Sequence, residues 1–379
     1  MGAVRRLGCP DEYHVRVVEY LGAGSTGKNS AVSSKTVTTL TGLVSVEWGR
    51  RLEDTSEATV TLAQSRVSAA CCRALSRFEN WFWDLLIFRD SELVWRGPIL
   101  DLEETGQSIV IHARDLSAWL ERRSWVAPYG AALPSNPDLA AVAHYNLIGA
   151  FVADPELPTQ TAIWTRPNIP AITSYTPSGI KLADTDLRLS EDSNAREDLD
   201  ETAKFGLDWT THVDKILISG EASTSTPAAA WLSADDFAVP LQVAMQGSTA
   251  GTAILVYGGA SGDVPALYWR GLDRPPVFLE PLRVNSTTMS DADKTEIGKS
   301  VVLRNFPPAR VVRVPDGAPL TPAAPIPMAG LVCGRRINVS VDSRCWPASA
   351  GYRLSQVAVK WSQAGEQVGV TFAPLVQPR

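Results

Sequence analysis

The run from Phe82 to Leu120 limits the fold more than any other part of the chain, because its hydrophobic pattern changes period and direction in a fixed order. Phe82, Asp84, Leu86 and Phe88 alternate with Trp83, Leu85, Ile87 and Arg89. Aromatic and branched residues fall on both sets, which predicts a strand buried on much of both faces. The short polar turn Asp90-Ser91-Glu92 sends the chain back into Leu93-Val94-Trp95 as a hairpin, and Gly97-Pro98 is expected to break or bulge that return strand. Alternation resumes at Ile99, reverses at Glu104-Thr105-Gly106 and runs out through Ile109, Val110 and Ile111 to His112. The result is an antiparallel meander. Asp115 stands where a helix N-cap belongs, with Leu116, Trp119 and Leu120 at helical spacing behind it.

The order of these features resembles the first barrel domain of phage tail hub proteins, which form the centre of the baseplate or tail tip in long-tailed phages. The matching residues are Leu93, Trp95, Gly97, Pro98, Ile99, Gly106, Ile109, Ile111, Ala113, Arg114 and Asp115. The resemblance implies two related barrels alternating with two α/β domains, assembled as a trimer at the end of the tail tube. It runs over nearly the whole chain and is weakest over Trp125 to Ser190.

Composition excludes several function classes. The 379 residues exceed one typical domain, so about two to four domains are expected. Hydrophobic residues make up 45% and charged residues 20%, values of a folded rather than a disordered chain. The twelve Trp favour strand-rich domains with extensive contacts. A net charge of −6 gives no support for specific nucleic-acid binding, and the pairs Arg50-Arg51, Arg122-Arg123 and Arg335-Arg336 read as solvated element ends. No apolar run approaches the roughly 18 residues of a membrane span. Met1 to Pro10 lacks the apolar centre of a signal peptide, so a chain made and kept in a cytoplasm is expected, and the resemblance implies that this is the cytoplasm of a bacterial host. Five cysteines, with Cys71 and Cys72 adjacent, fit reduced thiols; a Cys333 to Cys345 bridge across a hairpin is the weaker alternative.

Candidate chemistry fails at each place where it is suggested. Gly22 to Lys28 follows a strand, Tyr13 to Leu21, as a phosphate loop would, but Val32 to Trp48 alternates like a strand instead of opening a helix. Asn29 also stands where the magnesium-binding hydroxyl belongs, so a flexible hairpin loop is expected there. Ser65 is expected to cap a short helix that buries Cys71. The acidic set Glu197, Asp198, Asp200 and Glu201 reads as the solvated face of a helix over Ser193 to Phe205, near the favourable end of its dipole. Gly259 to Gly262 has the wrong spacing and context for a nucleophile elbow. No catalytic, cofactor-binding or metal residues are assigned, no cofactor is expected, and no enzyme activity is inferred.

Farther along, Ala140 to Val152 and Asp291 to Leu303 read as helices, and Leu241 to Met245 with Ala253 to Tyr257 as a hairpin. Pro315 to Pro327 carries five prolines in thirteen residues and reads as an extended connection. The last segment repeats the opening theme. Val357, Val359 and Trp361 lead through Gln363-Ala364-Gly365 to Val368, Val370 and Phe372, the pattern already seen over Ile99 to Ala113.

The fold class expected is β-rich α+β, with two similar small β-barrel domains alternating with two smaller α/β domains. Their bounds are 1–124 for the first barrel, 125–230 for an α/β domain, 231–268 with 325–379 for the second barrel, and 269–324 for a small α/β insertion. The resemblance implies a homotrimeric structural protein at the virion tail tip, with a distal tail or tail tube protein above it and tail-tip or fibre proteins below. The chain ends directly after the second barrel, so the fibre or hydrolase extension of many hubs is not expected. The competing readings are a carbohydrate-binding tail-tip module using exposed Trp such as Trp164, and a cell-wall hydrolase component.

Overall fold

The computed structural model describes residues 7–8, 10, 12–20, 34–122, 136–149, 173–182, 194–245, 250–258, 264–271, 275–284, 290–306 and 310–375. Contacts divide the chain into two units. The first is Met1–Pro240, Val314–Val339 and Gly351–Arg379; the second is Leu241–Arg313 and Ser340–Ala350. The class is β-rich α+β.

The chain opens with β1 (Tyr13–Tyr20), β2 (Ser34–Thr39), β3 (Leu43–Arg51), β4 (Glu57–Ala63), the short helix α1 (Ala69–Leu75), β5 (Trp83–Arg89), β6 (Glu92–Glu104) and β7 (Ser108–Arg114). A 3₁₀ segment, Leu116–Arg122, precedes α2 (Leu139–Gly149), β8 (Thr173–Tyr175), α3 (Ala195–Ala203), β9 (Leu207–His212), β10 (Lys215–Gly220) and β11 (Ala230–Ser233). Next come β12 (Gln242–Met245), β13 (Ala253–Tyr257), β14 (Ala266–Trp269), β15 (Leu282–Arg283), α4 (Asp291–Asn305) and β16 (Arg310–Arg313). The chain finishes with β17 (Ala318–Pro319), β18 (Arg336–Val341), β19 (Ala348–Ser362) and β20 (Gly365–Pro374).

Twelve strands join in one sheet, in the order β11-β18-β19-β3-β4-β7-β6-β5-β1-β2, with β20 on β19 and β17 on β20. The meander is where the alternation puts it: β5 pairs with β6 and β6 with β7, all antiparallel. On β5, Trp83, Asp84, Leu85, Ile87 and Arg89 are all buried, so both faces are covered as expected. Phe82 is different, lying just outside the strand and exposed. β6 is also not broken at Gly97-Pro98. The strand is continuous, pairing with β5 up to Pro98 and with β7 from Ile99, but its register shifts on both sides of Gly97-Pro98, at Val94 and between Ile99 and Asp101. Gly97 makes this change of partner feasible, because a Cβ there would meet the Arg114 carbonyl at 1.8 Å.

On β1, Val15 and Val17 are buried and Arg16 is exposed, and a register shift after Val17 turns Val18 inward as well. β3 runs through Gly49 to Arg51. Arg50 is therefore inside a strand and buried, not solvated. Its guanidinium donates to the carbonyls of Leu331 (2.7 Å), Met328 (3.0 Å) and Val94 (3.1 Å), which offsets its burial. The cap of α1 is Ser68, whose Oγ accepts from the Cys71 N–H, while Gln64–Arg66 forms a separate 3₁₀ turn.

A second layer in the first unit is the three-stranded sheet β8-β10-β9 with α2 and α3. Its core gathers Leu116, Leu120, Leu139, Leu147, Leu199, Trp209 and Ile216. α3 begins at a capping box: Asn194 Oδ1 accepts from the N–H of Arg196 and Glu197 at 3.0 Å each, and Glu197 Oε2 accepts from the Asn194 N–H at 3.1 Å. Asp198 is buried in that layer, contrary to the solvated face expected for it, because it lies on the side of α3 that meets α2. The Leu116–Arg122 segment is 3₁₀, with Asp115 accepting from the Ser117 N–H at 2.9 Å.

In the second unit, α4 covers the sheet β14-β13-β15, and Ile254, Val256 and Val302 form the core. Ser290 and Asp293 make the capping box of α4. Here β12 pairs with β16 and β13 with β14 and β15, so β12 and β13 are not the hairpin their spacing suggests. Alternation identified both strands, but partners distant in sequence decide the pairing.

Candidate functional site

Two neighbouring clusters in the first unit hold buried charge. The first is built on Asp115, which follows the end of β7. Its Oδ2 accepts from the N–H and the hydroxyl of Ser56 (both 2.6 Å), and its Oδ1 accepts from the N–H (2.9 Å) and hydroxyl (2.6 Å) of Ser117 and from the Thr211 hydroxyl (3.1 Å). Burial pushes its carboxyl up, and these donors work against the shift. Asp115 thereby joins the β3–β4 turn, the end of β7 and β9. It is a structural anchor with its bonds made.

The second cluster is less well satisfied. Asp208 on β9, Glu53 in the β3–β4 turn and Glu221 after β10 each present an oxygen within 4.8 Å of the others. Glu53 is held there by a left-handed backbone, φ 54°, and by its N–H donating to the Trp209 carbonyl at 2.8 Å. From β19, Arg353 Nη1 reaches Asp208 Oδ1 at 2.6 Å, Glu221 Oε1 at 3.4 Å and Glu53 Oε1 at 3.9 Å. Gly334, at φ 86°, lies so close that a Cβ on it would stand 3.1 Å from Asp208 Oδ2. Asp208 is nearly fully buried, and the carboxyl is pushed up to about 8, first by burial and then by Glu53 and Glu221, with Arg353 opposing.

Asp208 and Glu221 lie on a cleft of about 670 Å³ also lined by Ser174, Ser178, Gly334 and Arg336. Three carboxylates around one guanidinium make an ion-pair network in which Arg353 takes the position a cation would need. The arrangement binds segments together and offers no activated nucleophile. His212 at the end of β9 is pushed down to about 3 by burial and by the charges of Arg50 and Arg335, so it is neutral. Burial lifts the Cys333 thiol to about 12, which leaves it unreactive.

The residues that sequence patterns single out disperse. Gly22 to Lys28, Trp164 and Gly259 to Gly262 lie outside the described residues. Glu197 caps α3, Asp200 accepts from Arg196 Nε at 2.8 Å, and Glu201 pairs with Lys204, so the acidic set forms no acid/base pair. Cys71 is buried and Cys72 exposed, and Cys333 and Cys345 are both free thiols. Nothing in the sequence marks the Asp208 cluster, because its four members come from four separate segments.

The sequence matches no known family profile and no curated protein. Solved structures similar to the chain include tail proteins. One is the 43 kDa tail protein of prophage MuSo2 from Shewanella oneidensis, at 13% identity and a TM-score of 0.47, with 96% of this chain and 97% of that one covered. Another is a tail protein from Neisseria meningitidis, at 13% identity and a TM-score of 0.43, covering 95% and 96%. A third is the prophage tail protein gp18 from Listeria monocytogenes, at 12% identity and a TM-score of 0.42, covering 94% of each. With likeness this distant, the functional reading rests on the chain's own residues.

Proposed function

We propose that the chain is a structural tail protein, a homotrimeric hub at the distal end of a phage tail tube, joining a hexameric tube to a threefold tip. The observation that carries this reading is the place of the two repeated hairpins. In the large sheet, β6–β7 flanks β4 and β19–β20 flanks β3, so like hairpins stand on either side of the β3–β4 pair. Each chain thus offers two like surfaces. A trimer of such chains offers six, which lets threefold and sixfold partners meet.

The signature residues behind the hub resemblance also carry structural loads. Gly97 permits the close approach of β6 to the Arg114 backbone, Ile99, Ile109 and Ile111 are core, and Asp115 anchors three segments. In this reading the chain alternates two barrels, 1–124 and 231–268 with 325–379, with two α/β parts, 125–230 and 269–324. Its partners are a tail tube or distal tail protein above and tip or fibre proteins below, and its role is not enzymatic. A tag on the chain, located by electron microscopy of assembled tails, is expected at the far end of the tube and on its axis. A tag along the tube or on lateral fibres would refute the proposal. Release of soluble fragments from purified peptidoglycan would favour the hydrolase reading instead.

A further inference from the structure

Asp208 meets an ionisable group from each segment packed on it: Glu53 from the β3–β4 turn, Glu221 from the end of β10, Arg353 from β19, and the neutral buried thiol of Cys333 beside Gly334. Four side chains from four segments would leave two excess negative charges if every carboxylate were ionised, three against the one guanidinium. Water screens that excess least at Asp208, which is nearly fully buried, while Glu53 and Glu221 keep partial exposure. The hydrogen bonds point the same way. Glu53 Oε1 and Asp208 Oδ2 are both buried and neither accepts a hydrogen bond. A single proton remedies both faults, since a carboxylic acid has the O–H donor that two carboxylates lack.

We propose that Glu53 and Asp208 hold one proton between them, and that this proton latches the β9–β10 layer onto the β3–β4 corner and β19, loosening them as it leaves. Two ionised carboxylates in this setting repel each other, and Arg353 already gives its shortest contact to Asp208. The backbone bonds nearest the cluster then report the opening: Glu53 N–H to the Trp209 carbonyl (2.8 Å) and Glu221 N–H to the Gly206 carbonyl (3.0 Å). Gly334 has a stated part, because any side chain there would press on Asp208 Oδ2 and compete with Glu53 for it. The elevation of the Asp208 carboxyl to about 8 sets the upper end of the window, so the latch weakens from the ordinary carboxylate range up to pH 8.

The experiment follows hydrogen exchange of the Glu53 and Glu221 amides in the whole protein between pH 6 and 9, corrected for the intrinsic rate. Protection is expected to fall by about tenfold per pH unit up to pH 8 and then level off. Asp208→Asn, which keeps a donor at every pH, is expected to abolish that fall. The same pH response in the variant, or none in the unaltered protein, overturns the proposal. If Asp208→Asn does not fold, the side-chain carboxyl of Asp208 is followed by carbon NMR in aspartate-labelled unaltered protein, with Glu53→Gln as the second variant. An Asp208 resonance that titrates above pH 7 and shifts with Glu53→Gln upholds the shared proton. One already ionised at pH 6 refutes it.

Discussion

Two arginine clusters tie the C-terminal hairpin to earlier strands, and they solve the same problem in opposite ways. Arg89 on β5 meets Glu366 on β20 through two bonds, Nε to Oε1 at 2.8 Å and Nη2 to Oε2 at 3.0 Å. The Tyr13 hydroxyl and the Gly8 N–H donate to the two oxygens of the same carboxylate at 2.6 and 2.8 Å. Burial alone would lower the pKa of Arg89, but the bond and charge of Glu366 raise it. Arg353 on β19 instead shares one nitrogen among three carboxylates and leaves two of their oxygens without a donor. A buried charge that is paired and fully hydrogen-bonded locks its segments, whereas one in excess must take up a proton and so answers to pH.

The largest expected effect comes from breaking the satisfied cluster. Glu366→Gln breaks the buried two-bond pair, leaving Arg89 to the Asp90 carboxylate, and is expected to cost about 3 kcal/mol in denaturant unfolding. A loss under about 1 kcal/mol would mean that the two clusters do not differ as argued. Next is Tyr13→Phe, which removes the donor to Glu366 and is expected to cost about 1.5 to 3 kcal/mol by the same assay. Gly334→Ala acts on the other cluster, forcing a left-handed backbone on a residue with a Cβ, and an expected loss of about 1 to 2 kcal/mol is readable as a lower melting temperature.

The smallest effect at neutral pH, and the sharpest contrast, is in pH dependence. A carboxyl whose folded pKa is about 8 binds its proton more tightly folded than unfolded, so its contribution is full below the ordinary carboxylate range and is lost as pH rises through 8. Stability contributed by the Arg353 cluster is therefore expected to decline from about pH 4 to 8. Comparing pH series for Glu366→Gln and Asp208→Asn tests this. The Asp208→Asn series is expected to be flatter than that of the unaltered protein, while Glu366→Gln keeps its slope.

What the sequence disclosed and what it hid divide along the length scale of the interactions. The strands β5, β6 and β7 and the helices α3 and α4 are local patterns, and each stands where alternation or spacing puts it. The shift of the cap from Ser65 to Ser68 is a local miss, since both serines precede the same apolar spacing. Longer-range facts left no trace. Gln356 to Ser362 pair with Ser45 to Arg51 across three hundred residues of chain, and that pairing is what buries Arg50 and brings Arg353 to Asp208. Charge patterns read as solvated could not disclose partners that arrive from another segment.

The proposed hub role requires two like hairpins per chain to serve a threefold assembly. The number of copies per assembled tail, counted by quantitative mass spectrometry against the tube protein, tests it most directly. Three copies for each tail is the expected result, and six copies would contradict it.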